Sequence, residues 1–142
     1  MEDNSYLYFT ELIKKFDFIK DLWVTDSEGG IIISSSRNDK KESEEDSENS
    51  NKLKNYLFFL LNSAVDQISK IEKFKTKNIV TFYETVTLFQ SRISKNILVH
   101  FICDSKLFNY EITKEIVLEL SEKLNKIEKE IETTITQNND NV

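Results

Sequence analysis

Apolar positions along this chain repeat at helical spacing in three stretches and read as strands in five. The first helical stretch is Tyr6, Phe9, Ile13 and Phe16, a buried side for a helix that Asn4 or Ser5 can cap. Leu22-Trp23-Val24-Thr25 then alternates as a strand, and Gly30-Ile31-Ile32-Ile33-Ser34 returns as its partner. Between them, Asp26-Ser27-Glu28-Gly29 has hairpin chemistry. Asp accepts a bond from the backbone two residues on, and Gly supplies the positive φ of the loop.

The second helical stretch, Asn51 to Ile71, is the most informative. Leu53, Leu57, Leu60, Leu61, Ala64, Ile68 and Ile71 form one face, flanked by Tyr56 on one side and by Phe58 and Val65 on the other. On a helical wheel this apolar arc spans roughly 200°, whereas a surface helix needs only about 100° against its own core. Such a helix is covered on two sides. The second cover is either more of the same chain or another protein, and in a short chain another protein is the simpler source.

Three strands and a helix follow. Asn78 to Tyr83 is β-branched and aromatic, Glu84-Thr85 makes a tight turn, and Val86 to Gln90 is the hairpin partner. Ser91 to Asn96 reads as a polar loop. Asn96 to Ile102 is the most continuously apolar strand, which places it at the centre of a sheet covered on both faces. The last helix begins at Asn109, with Ile112, Ile116, Leu120, Leu124, Ile127 and Ile131 on one stripe widened by Val117. From about 109 to 133 it would be roughly 37 Å long. The order α-β-β-α-β-β-β-α with hairpin-length links predicts an α+β fold: a five-stranded, mostly antiparallel sheet in a three-layer α/β/α domain. The middle helix lies alone on one face and the terminal helices on the other.

Composition refines this picture at three points. Arg37 to Glu48 holds six acidic and three basic residues and no apolar side chain, so residues 36–50 read as a mobile acidic loop. Residues 136–142 read as a frayed tail, within a single domain over 1–142. Net charge is −6 and no basic stripe interleaved with aromatics occurs, which argues against nucleic acid. No apolar run approaches a membrane span. Glu2 stands where myristoylation needs glycine and no cysteine lies near Val142, so no direct membrane insertion or lipid anchor is expected.

Catalytic chemistry has little to stand on. His100 is the single histidine and Cys103 the single cysteine, so neither a metal-ligand set nor a disulfide is expected. A histidine hydrogen-bonded within the structure is the simpler reading of His100. With glycine only at positions 29 and 30, phosphate-cradling loops are excluded. No serine stands in a nucleophile elbow. No catalytic residue, cofactor or metal is expected.

The run Ala64-Val65-Asp66-Gln67-Ile68-Ser69-Lys70-Ile71 resembles the Ala-Thr-Asp-Gln-Gly-Ser-Lys-Leu segment of the roadblock-domain family, in its branch of MAPK-scaffold subunits of the Ragulator complex. Lys75 to Val80 with Phe82 to Thr85 resembles the third strand and turn of that branch. Leu98 to Ile102 resembles its fifth strand, and Val24 to Gly29 its first hairpin. The likeness runs from about Phe18 to Ile131. The acidic insertion from Arg37 to Ser50 departs from it, and Ile68 stands where the family has glycine. The resemblance implies pairing with a second roadblock subunit as a heterodimer, through Phe58, Leu61 and Val65 on the helix and Ile79, Val80, Thr81, Phe82 and Tyr83 on the third strand. It further implies other Ragulator subunits, Rag GTPases and MAPK-pathway kinases as partners. It also implies a cytoplasmic position, peripheral on late endosomes and lysosomes. Two other readings of this fold are a roadblock-type dynein light chain and a small-molecule sensor with a pocket near His100.

Overall fold

A computed structural model describes residues 2–37, 44–72 and 78–140. The elements run α1 (Glu2–Lys15), β1 (Ile19–Asp26), β2 (Ile31–Ser36), α2 (Glu44–Glu72), β3 (Asn78–Phe82), β4 (Val86–Ser94), β5 (Ile97–Asp104) and α3 (Tyr110–Asp140). This is the expected order. The chain forms two compact units, Met1–Phe108 and Asn109–Val142.

The first unit is built on one sheet, in which every pairing is antiparallel and the strand order is β2-β1-β5-β4-β3. The apolar strand β5 sits at the centre, as its composition requires. The hairpin between β1 and β2 is closed as predicted. Asp26 Oδ1 accepts from the amides of Glu28 (2.9 Å) and Gly30 (2.8 Å). Gly29 has φ 93°, and a Cβ there would meet the Phe58 ring at 2.8 Å, so both conformation and space demand glycine.

Helix α2 crosses one face of this sheet from β2 to β3. Lys54 bonds Ser34 of β2, Leu57 packs with Trp23 and Leu88, Phe58 and Leu61 pack with Leu98, and Val65 and Ile79 close the far end. The opposite face is buried too, with Leu22, Val24, Phe89, Val99 and Phe101 all inaccessible. Helix α1 packs against β1 and β2 and buries Phe9, Leu12 and Ile13. The Arg37 guanidinium bonds the carbonyls of Ile13, Phe16 and Ile19, capping the end of α1 with a cation. In the second unit, Asn109 Oδ1 accepts from the Ile112 amide at 3.0 Å, the predicted cap. Along α3, Thr113, Ile116, Val117, Leu120 and Leu124 are buried.

Four expectations are corrected. Tyr6 is exposed, and Leu12 takes its place on the buried side of α1, which begins at Glu2 rather than after an Asn4 or Ser5 cap. The acidic loop expected at 36–50 is helix from Glu44 onward, where α2 begins, and 38–43 lie outside the described residues. Acidic residues in the first turns favour that start, because the helix dipole is positive there. The segment Ser91 to Asn96 is mostly strand. Ser91 is buried and donates to Asn78 Oδ1 at 2.7 Å, and Arg92 pairs with Leu98 before a bulge near Ser94. The tail expected at 136–142 belongs to α3 as far as Asp140, and 141–142 lie outside the described residues.

Candidate partner interface

Adjacent residues on a helix point about 100° apart, so Phe58 and Phe59 cannot share a side. In α2 the inward residue is Phe58, 3% exposed, and the outward one is Phe59, 68% exposed. Lys54, Leu57 and Leu61 share the inward side, with Leu61 also 3% exposed. Tyr56 (62%), Leu53 and Leu60 share the outward side with Phe59. The helix is therefore apolar on both sides, as the arc required, but the assignment of residues to sides is corrected. Phe58 and Leu61 are core residues, unavailable to a partner, because Lys54 rather than Leu53 turns toward the sheet. The Lys54 ammonium donates to Ser34 Oγ at 2.9 Å, lies 3.9 Å from Asp21 and sits 5.4 Å from the Trp23 ring. Val65, at the β3 end, is half-buried.

A buried polar chain holds the inward side. The Gln90 side-chain nitrogen is 3.1 Å from the Leu57 carbonyl oxygen and 3.0 Å from His100 Nδ1. A carbonyl only accepts, so Gln90 presents its NH2 there and His100 Nδ1 must accept as well. The imidazole proton is then on Nε2, which donates to Thr25 Oγ1 at 2.9 Å. The ring also stacks on Trp23 at 5.0 Å. Burial without a charged neighbour lowers the His100 pKa to about 3, keeping it neutral. His100 is thus hydrogen-bonded within the structure, as expected. The Cys103 thiol is buried and raised to about 12, far from the thiolate that reactivity needs. Among the described residues no group of three or more His, Cys, Asp or Glu could hold a metal ion. Nor is any described helix long and apolar enough to cross a membrane.

Beyond the end of α2, β3 is an edge strand: among the described residues only β4 pairs with it. The Tyr83 amide donates to the Val86 carbonyl at 2.9 Å. Counting back in twos, Thr81 and Ile79 direct their backbone groups to β4, and those of Val80 and Phe82 point outward. Ile79, Val80 and Thr81 are half-buried, whereas Phe82 (71%) and Tyr83 are exposed. Phe82 packs edge-on against Phe108, with centroids 6.3 Å apart. All five β3 residues singled out in the sequence therefore lie on or beside an open edge. Of these, Ile79 packs with Val65 on the Phe58, Leu61 and Leu98 cluster beneath α2. The residues missed by sequence reasoning are Phe59 as a whole and the outward direction of Tyr56 and Leu60. The adjacency of Phe58 and Phe59 was the available signal.

This fold is shared by solved roadblock domains. The roadblock/LC7 domain from Streptomyces avermitilis superposes with a TM-score of 0.68 at 7% identity, covering 83% of this chain and 92% of that chain. Myxococcus xanthus MglB gives 0.66 at 15% identity, covering 84% and 90%, and an MglB with tetrameric arrangement gives 0.67 at 12%, covering 85% of each. The chain has the roadblock fold. Comparison with curated proteins by sequence gives no match. The family model described as mitogen-activated protein kinase kinase 1 interacting matches residues 3–135, so the chain belongs to that family.

Proposed function

We propose that the protein is a non-enzymatic scaffold subunit that pairs with a second roadblock subunit through the outward side of α2 and the free edge of β3. The observation that carries this reading is the apolar outward side itself, Tyr56, Phe59 and Leu60, together with a strand edge whose Val80 and Phe82 backbone groups meet no strand among the described residues. A strand from a partner would satisfy those groups, and a helix from it would cover the aromatic rings. The family assignment and the tetrameric arrangement of one MglB support association as the working state.

Within that reading the chain serves a Ragulator-like complex at late endosomes and lysosomes. It contributes to recruiting Rag GTPases for amino-acid signalling to mTOR, and to holding MAPK-pathway kinases. Its membrane position comes through partners. The kinase-pathway part rests on the family description, and the Ragulator part on the four short sequence likenesses.

Co-expression with candidate roadblock subunits tests the pairing, and light scattering reads it. The expected result is a stable 1:1 complex that Phe59→Glu abolishes without lowering the melting temperature of the chain. A micromolar monomer that ignores every candidate subunit overturns the proposal. Affinity purification then separates the finer readings. Ragulator subunits and Rag GTPases are expected in the eluate, whereas dynein intermediate chain would replace this reading by the light-chain one.

A further inference from the structure

The fold collects cations that the sequence scatters. Lys14 and Lys15 end α1, Lys20 lies in β1, and Arg37 follows β2. Arg37 draws them to one corner. Its guanidinium bonds the carbonyls of Ile13, Phe16 and Ile19, and its amide donates to the Lys20 carbonyl at 3.0 Å. All four residues are exposed, and Glu11 and Asp17 are the acids among residues 6–20. In a chain of net charge −6, this corner carries the opposite sign.

The fold does not use the three lysines. Among the described residues none of them forms an ion pair, and of the three only Lys15 has a ring contact, 5.3 Å over Phe16. Lysines in the last turn of a helix ordinarily answer its negative end. Here Arg37 bonds those carbonyls instead, which leaves the ammonium groups of Lys14 and Lys15 to the solvent.

Helix α1 adds an apolar feature. Leu7 is 55% exposed and Tyr6 45%. Lys14 follows Leu7 by two helical turns, so it shares that side about 10 Å further along. The outward side of α1 is thus apolar first and basic at its end, where it meets Lys20 and Arg37. An acidic peptide finds little to hold there. The Lys20 carbonyl and the last carbonyls of α1 are taken by Arg37, and the one guanidinium fork that could grip a carboxylate is spent on them. Unpaired ammonium groups beside an exposed leucine and tyrosine suit a diffuse layer of negative headgroups, which attracts charge without demanding a fixed geometry.

We propose that the outward side of α1, with Lys20 and Arg37 at its end, is a contact surface for an anionic lipid bilayer. Lys14, Lys15 and Lys20 are drawn to the negative headgroups, and Tyr6 and Leu7 settle at the level of those headgroups. The attraction falls off within a Debye length, about 8 Å at physiological salt, so it holds only the corner that carries the cations. Where partners bring the chain to a membrane, this surface fixes which side of it faces the lipid.

Co-flotation of the full-length chain with vesicles tests this. The chain should float with vesicles of phosphatidylserine and phosphatidylcholine in equal parts, less so as salt rises, and not with phosphatidylcholine alone. Each lysine removed should weaken binding about fivefold, so Lys14→Gln, Lys15→Gln and Lys20→Gln together should weaken it on the order of 100-fold. That variant should keep the wild-type melting temperature, because the three positions are exposed and outside any ion pair. Leu7→Ser should weaken binding by a smaller factor. No flotation with phosphatidylserine, equal flotation with both vesicles, or full binding by either variant overturns the proposal. A soluble peptide alternating serine and glutamate that binds as well and displaces the vesicles would assign the corner to an acidic chain, and overturns it too. Phe59→Glu, which breaks the pairing proposed above, should float undiminished, so the two readings fail separately.

Discussion

The two sides of α2 have similar chemistry and opposite fates. Phe58 and Leu61 face the sheet and are closed by Leu98, whereas Phe59 and Tyr56 face away and remain open. Hydrophobicity alone does not separate them, since both sides carry aromatic and leucine side chains. The difference lies in polar groups that only one side can satisfy. Lys54 finds Ser34 and Asp21, and the Leu57 carbonyl finds Gln90. A greasy surface on a small protein thus says that burial will occur, and a few directional bonds decide which burial is internal.

Matched truncations give the largest separation. Phe58→Ala should cost about 3–5 kcal/mol of folding stability in urea or thermal melts, because it leaves a cavity beneath the helix. Gly29, already in van der Waals contact with that ring, cannot fill the cavity. Should Phe58→Ala and Phe59→Ala destabilise equally, the distinction between the sides collapses.

The inward side also carries a pH signature. Its folded-state pKa of about 3 lies below the ordinary 6.5, so His100 takes up a proton more readily in the unfolded chain. Its contribution is complete above about pH 6.5 and declines by about 1.4 kcal/mol per pH unit on acidification toward pH 3. Melts of wild type and His100→Asn over this range should differ in slope by that amount. A wild-type slope no steeper than the variant's would place the histidine in solvent.

For the outward side the expected effect is smaller and of another kind. Phe59→Ala should change the stability of the isolated chain by no more than about 0.5 kcal/mol. It should weaken pairing by about 2 kcal/mol, about 30-fold in Kd, measured by titration calorimetry with the partner subunit. Arg37→Ala lies away from both sides and sets the scale for an ordinary polar contact. Loss of its bonds to the end of α1 should lower the melting stability by about 1–2 kcal/mol and leave pairing unchanged.

Much of this architecture was legible in the sequence, because local chemistry writes it. Asp26 and Gly29 specify the turn, Asn109 the start of α3, and the unbroken apolar run the central position of β5. The part of β3 in pairing followed from the likeness to roadblock domains. The roll of α2 was not legible. Counting apolar residues centres the buried face near Leu57 and Ala64, but the helix lies turned by roughly 60° toward Phe58 and Lys54, given 3.6 residues per turn. A count scores lysine as wet, yet Lys54 is buried because it has partners on β1 and β2, some 20 or more positions earlier in the chain. The strand character of Arg92 and Ser94 was hidden for the same reason: their pairing partners, Leu98 and Ile97, identify them, and their own polarity does not.

The line of hydrogen bonds from Thr25 through His100 and Gln90 to the Leu57 carbonyl has a consequence for how the helix settles. Hydrophobic attraction is blind to orientation, so a rod coated with oil nearly all round has several comparable ways to lie on a flat apolar surface. A fixed imidazole proton gives this relay a single sense, and its last acceptor belongs to one particular turn of the rod. Only one azimuth completes the relay. The proton on a sealed imidazole thereby chooses which aromatic ring is left to meet another molecule.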